Sequence, residues 1–266
     1  MESTFIPQIF GGDKEEMVTT VEMLQDRADI IDINFGCPAP KVCKNNAGAA
    51  LLRDPDQVVN LVRSCIDASN VPVTVKMRLG TGGIPNTALE ITKRLESEGV
   101  MRVCVHGRTL KQRYSGEADW KSIREIVESV SIPVIANGDV VDSESAQMCL
   151  QSTGASGLMI GRAAIGRPMI FYDIKKNMGW IDNDPPWSVD NPVIARRWCW
   201  QRYLELCSEV YPSGGSKNSK RHAISFTKGL PGASAMRVDL HRAKNHEDLG
   251  EMVTSYLEQL VDKLAH

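Results

Sequence analysis

The sequence predicts an α/β fold of the TIM-type (β/α) barrel class, followed by a small all-α domain. Three observations carry that prediction. Short β-branched runs alternate with amphipathic stretches, the pattern of βαβ units on a parallel sheet. Polar and reactive residues recur at the C-terminal ends of those runs, where a (β/α) barrel builds its active site. An open doubly wound sheet would gather them at one switch point instead. Beyond Asn191 the alternation stops and only helix-like spacing remains.

Taken in order, the strands are expected at Ile6–Phe10, Ile30–Asn34, Val73–Met77, Val103–His106, Val134–Asn137 and Leu158–Ile160. Helices are expected between them at Lys14–Gln25, Pro55–Ala68, Asn86–Glu98, Trp120–Val130 and Ser143–Gln151. Pro72 and Pro133 stand just before strands, where a missing N–H is tolerated. A closed barrel needs eight βα units, and only six are found. The expectation is a barrel over residues 1–180 with six of eight units present. The Pro-, Asp- and Asn-rich stretch 181–191 reads as a linker. Residues 192–266 read as a helical domain, with helices at Val193–Val210 and His246–Leu264 and a loop at Tyr211–Lys220. Asn245 is the expected N-cap of the last helix.

Composition sets outer bounds. With 266 residues, 42% hydrophobic and 24% charged, the chain can bury a sizeable core. No apolar run reaches the ~18 residues a membrane span needs, and the first ten residues lack the pattern of a signal peptide. Seven cysteines without CxxC spacing read as free thiols in a reducing compartment, so a cytoplasmic protein is expected. The net charge of −2 says little, but its distribution says more. Between Gly214 and Lys244, seven basic residues face a single acid, Asp239. Such a surface suits a polyanion. A solvated loop and helix face is the alternative.

The reactive residues come next. Asp32-Ile33-Asn34-Phe35-Gly36-Cys37-Pro38 places a thiol just past a strand end, between a Gly that frees the backbone and a Pro that fixes it. Held there, Cys37 suits a nucleophile or a proton donor; a small buried Cys is the plainer reading. Lys76, in Val-Thr-Val-Lys-Met-Arg, can balance an anion in a barrel mouth or pair with a carboxylate. Asn34, Arg78, His106 and Arg108 fall at strand ends too. Gly-rich turns at Asn137-Gly138-Asp139 and Gly161-Arg162 sit where this fold binds phosphate. They imply a phosphorylated cofactor, and FMN fits the Lys and His upstream. No dinucleotide fingerprint follows a strand, and no His/Cys/Asp cluster has metal-ligand spacing.

These motifs together resemble the tRNA-dihydrouridine synthase family, closest to its bacterial B-type and archaeal members. The matching text is DINFGCPAPKVCKNNAGAALL, VTVKMRLG, VHGRT, YSGEADW, IPVIANGD, GLMIGRAAIGRPMIF and KRHAISFTKGLPGASAMRVDLHRAKN. The resemblance implies reduction of uridine in tRNA to 5,6-dihydrouridine, with FMN as cofactor and NADPH as reductant. It implies Cys37 as the catalytic acid, with Asn34 beside flavin and substrate. It implies Gln8 at the flavin ring and Lys76 and His106 at its pyrimidine edge. Asn137, Gly138, Asp139, Gly161 and Arg162 match the phosphate-side loops. Arg78 and Arg108 match the substrate side. Lys217, Lys220, Arg221 and Lys228 belong to the expected tRNA-contacting helices. The family's first strand, with a Pro-Met turn against FMN, has no counterpart before Met1, so the first two units are expected to be missing. Two further readings stay open: an FMN barrel oxidoreductase acting on a free pyrimidine, and an inactive RNA-binding remnant.

Overall fold

A computed structural model describes residues 4–83, 86–187, 191–211 and 218–263. Six strands form one sheet in sequential order: β1 (Gln8–Ile9), β2 (Ile31–Phe35), β3 (Val73–Arg78), β4 (Arg102–His106), β5 (Val134–Asn137) and β6 (Gly157–Met159). Every neighbouring pair is parallel. The helical crossovers are α1 (Lys14–Leu24), α2 (Pro40–Lys44), α3 (Pro55–Asp67), α4 (Ala88–Ser97), α5 (Trp120–Val127) and α6 (Ser143–Thr153). Among the described residues β1 and β6 are the edges of this barrel-type sheet. The first strand is shorter than the expected Ile6–Phe10. Two residues pair with β2, and Phe5, Ile6 and Phe10 are exposed.

Helix starts follow local chemistry. Asp13, Asp54 and Asp119 each accept a hydrogen bond from the backbone N–H three residues on, capping α1, α3 and α5. Pro55 occupies the first turn of α3, where no N–H is needed. α3 (Val58, Leu61, Val62, Cys65) and α4 (Ile91, Leu95) bury their apolar faces, as the sheet buries its outward residues Ile31, Ile33, Phe35, Val75 and Met77.

The chain divides into two compact units. The first holds Met1–Val140 and Ser145–Met159; the second holds Val141–Glu144 and Ile160–His266. The second contains α7 (Ile170–Asn177), α8 (Pro192–Val210), α9 (Ser219–Thr227), α10 (Ala233–Arg242) and α11 (His246–Asp262). Its core centres on Trp200, which is stacked on Tyr203 and edge-on to Phe226. The Trp200 indole N–H donates to Thr254 at 3.1 Å. Asn245 does cap α11, accepting from Asp248 N at 2.7 Å, while the Asp248 carboxylate accepts from Lys244 N at 2.9 Å. The expected Tyr211–Lys220 loop is shorter at its end, because α9 already begins at Ser219. Residues 212–217, Lys217 among them, lie outside the described residues.

Candidate active site

Successive side chains of a strand point to opposite faces. In β2, Ile31, Ile33 and Phe35 are fully buried, whereas Asp32 and Asn34 are half-buried on the inner face. Parallel register carries this face across the sheet. Asn34 stands opposite Lys76, and Lys76 opposite Cys104. One layer nearer the strand tips, Arg78 stands opposite His106, and His106 opposite Asn137. A polar inner face with an apolar outer one is thus written by period-2 alternation in β2 and β3, and at the His106 and Asn137 ends of β4 and β5.

Cys37 follows β2 and is half-buried. Its backbone N–H and that of Gly36 both donate to Asn34 Oδ1, at 3.0 and 2.8 Å. Asn34 Nδ2 donates to Gln8 Oε1 at 2.7 Å, and Gln8 Nε2 donates to the Asp32 carboxylate at 2.6 Å. Thr74 Oγ1 donates to the other Asp32 oxygen, also at 2.6 Å. On its far side the Cys37 carbonyl accepts from Ala49 N at 3.1 Å and from Cys43 Sγ at 3.7 Å. The loop is pinned on both sides while the thiol keeps access. Gly36 matters here, since a Cβ on it would lie 3.0 Å from Lys76 Nζ. The lysine head and the cysteine loop are therefore neighbours.

Lys76 donates no hydrogen bond from its ammonium among the described residues. Burial pulls its pKa below the ordinary lysine value, and the nearby Arg78 guanidinium adds to that. Cys104, beside it in register, is buried, and its thiol is pushed up to about 12, so it stays protonated packing.

The two strand-end arginines are buried and hydrogen-bonded to backbone carbonyls. Arg78, 2% exposed, donates from Nε to the Gly36 carbonyl at 2.9 Å, and from Nη1 to the carbonyls of Thr109 (3.1 Å) and Arg113 (2.8 Å). Its guanidinium also lies over the Tyr114 ring, 5.6 Å from the centroid. Arg108, 3% exposed, donates to the Ser115 and Gly116 carbonyls and pairs with Asp139 at 2.7 Å. Its Nη1 is buried without a hydrogen-bond partner among the described residues. Asp139 also accepts from Ala118 N at 2.7 Å. His106 is buried, its ring 6.4 Å from that of Tyr114. Asn137 donates to the Met159 carbonyl at 2.7 Å. Gly138 has φ +121°, and a Cβ there would sit 2.8 Å from Ala118 Cβ and 3.0 Å from the His106 ring. Only glycine fits, so the turn packs tightly against Ala118 and the His106 ring.

In the second unit, Gly161 precedes a single 3-10 turn, Arg162–Ala164. Arg221 and Lys228 are exposed, and Lys220 is half-buried with Nζ on the His241 carbonyl at 3.1 Å. Among the described residues no helix is long and apolar enough to cross a membrane. No cluster of three or more His, Cys, Asp or Glu there is placed to hold a metal ion.

The family model described as Dihydrouridine synthase (Dus) matches residues 2–262. The chain belongs to the dihydrouridine synthase family. Curated relatives in this family include tRNA-dihydrouridine synthase B of Proteus vulgaris, 36% identical over 96% of this chain and 79% of that protein. The same-named protein of Pseudomonas syringae pv. tomato is 46% identical over 95% of this chain and 74% of its own length. Among solved structures, DHODH from Eimeria tenella in complex with ferulenol aligns with a TM-score of 0.48 and 13% identity, covering 62% of this chain and 53% of that one. Dus proteins are flavin-dependent oxidoreductases, and the curated relatives are named for dihydrouridine synthesis in tRNA.

Sequence reasoning missed Asp32, Thr74 and Gly48 as parts of the site's frame. Asp32 had a signal, since it precedes Asn34 by two residues and so shares its face. Thr74 stands in the same relation to Lys76.

Proposed function

We propose that this chain reduces uridine in tRNA to 5,6-dihydrouridine, with FMN as its cofactor and NADPH as the source of electrons. One observation carries the reading. A half-buried Cys37, pinned by both its backbone groups, adjoins the inner-face ammonium of Lys76, for which no hydrogen-bond partner is found among the described residues.

The residues fit the cofactor. A half-buried cation suits the electron-rich pyrimidine edge of a flavin. The buried, unpartnered Arg108 Nη1 beside Asp139 suits a polar, anionic group. Lys76, His106 and Gln8 would hold the ring; Asn137, Gly138 and Asp139 would hold the phosphate. When bound, FMN supplies the hydride that uracil receives at C6. Cys37 supplies the proton at C5, its thiol acting as general acid. Asn34 orients that thiol through the Gly36 and Cys37 amides. Arg78 acts at one remove, holding the Gly36 carbonyl and the 109–113 segment in place. A ring that reacts on both faces must leave its stack. The exposed cations Arg221 and Lys228, with Lys220, would grip the phosphate backbone that delivers it.

Cys37→Ala tests the assignment. Flavin binding should remain, and dihydrouridine in purified tRNA should fall by about 10²–10⁴-fold, the range for loss of a positioned proton donor. Unchanged product, scored by nucleoside mass spectrometry, would remove Cys37 from the chemistry. Turnover of free uracil without turnover of tRNA would move the substrate to small pyrimidines.

A further inference from the structure

Asp32 takes part in none of the chemistry just described, yet it ends a hydrogen-bond chain that reaches Cys37. The chain runs through β1, β2 and β3 as Cys37 and Gly36 N–H to Asn34, Asn34 to Gln8, and Gln8 to Asp32, with Thr74 donating to Asp32 from the other side. Amide side chains can point either way, and the two ends of the chain fix which way these point. Backbone N–H groups can only donate, so Asn34 must turn its oxygen to the loop and its NH₂ to Gln8. Gln8 must then present its oxygen to Asn34 and its NH₂ onward. A carboxylate is an obligatory acceptor there, and Asp32 meets the need. Both ends agree on one direction.

We propose that Asp32 is a positioning residue for the thiol: its carboxylate sets the orientation of the Gln8 and Asn34 amides and thereby clamps the backbone of Cys37. The proposal rests on the reading of Cys37 as proton donor only for its effect on turnover, not for its effect on the loop. Without the acceptor, nothing holds the Gln8 NH₂. Both amides then sample the flipped state, in which the Asn34 NH₂ faces the N–H groups of Gly36 and Cys37. The clamp opens and the thiol wanders, although sheet pairing and the hydrophobic core are untouched. Asp32 is half-buried, so its removal leaves no large cavity.

Two variants and two measurements decide the matter. Asp32→Ala should raise the alkylation rate of Cys37 by iodoacetamide, followed by peptide mass spectrometry without flavin or tRNA, by roughly fivefold, the factor equivalent to one ordinary hydrogen bond. The same variant should lower kcat for tRNA by on the order of a hundredfold, the usual cost of a misplaced reacting group, with KM unchanged. Asp32→Asn should recover most of both, because its Oδ1 still accepts from Gln8 while its NH₂ donates to a Thr74 hydroxyl turned to accept. Wild-type alkylation and kcat in Asp32→Ala would overturn the proposal, as would a loss confined to KM. An Asn variant as impaired as the Ala variant would also overturn it, because charge and not acceptor geometry would then be at work. A wild-type chain that makes no dihydrouridine would defeat the proposed function, while the alkylation rates would still judge the clamp.

Discussion

Lys76 carries its charge where water is scarce. Burial lowers its folded-state pKa beneath the ordinary 10.5, so between the two values the unfolded chain binds more protons than the folded one. Stability without ligand therefore rises with pH across that window. An anion seated at the ammonium would reverse the local balance, lifting the pKa and drawing in a proton as it binds. Flavin affinity should accordingly fall as pH rises through the same window. Lys76→Met should flatten that slope and weaken binding by on the order of tenfold, the equivalent of one charge-assisted hydrogen bond. Flavin fluorescence quenching titrated at several pH values measures both. A slope retained in the Met variant would place the responsible group elsewhere.

Between β2 and α3 the chain makes a compact hook whose geometry hangs on Gly48. Its φ is +61°, and a Cβ would lie 2.9 Å from the Cys37 carbonyl oxygen and 3.1 Å from Cys37 Cβ. Gly48→Ala adds a left-handed strain to a collision with the loop that presents the thiol. It should cost about 1–3 kcal/mol in denaturant unfolding and reduce activity beyond what that destabilisation explains. Normal turnover in this variant would show that the hook tolerates a shift. The hook was hard to read from sequence. Its helix α2 is only five residues long, and the Gly48–Arg53 turn is 3-10, so neither shows the 3.6-residue period that reveals longer helices. By contrast α1, α3, α4 and α5 lie within a few residues of expectation, because apolar spacing marks all four and carboxylate caps mark α1, α3 and α5 as well. The helices α9 and α10 escaped for another reason. Gly229, Pro231 and Gly232 punctuate the segment, and its apolar residues are thinly spread. Within the site, Cys37, Lys76 and His106 announced themselves by position at strand ends. The burial of Arg78 did not, because its partners are backbone carbonyls more than thirty residues away in the chain, and that of Arg108 did not, because the carbonyls of Ser115 and Gly116 and the Asp139 carboxylate that hold it follow no strand or helix period.

Across the whole molecule the charge is uneven, and the C-terminal helices carry the basic share. Arg221, Lys228, Arg237 and Lys244 are exposed and form no ion pair among the described residues. Cations kept this free suit a long polyanion. Reversing Lys220, Arg221 and Lys228 to Glu should weaken tRNA binding and make the log–log salt slope shallower by roughly 0.9 for each phosphate no longer neutralised. Filter binding across a salt series reads both, and an unchanged slope would move the RNA surface off these helices. The order of the strands bears on how such a chain comes to exist at all. Among the described residues each strand bonds only to the strand before it and the strand after it in the chain. Parallel pairing is ordinarily slow because it must close long loops. Here every closure spans a single crossover, the shortest that parallel geometry permits. A polypeptide leaving the ribosome can therefore dock each new strand, from β2 to β6, on the one just laid down.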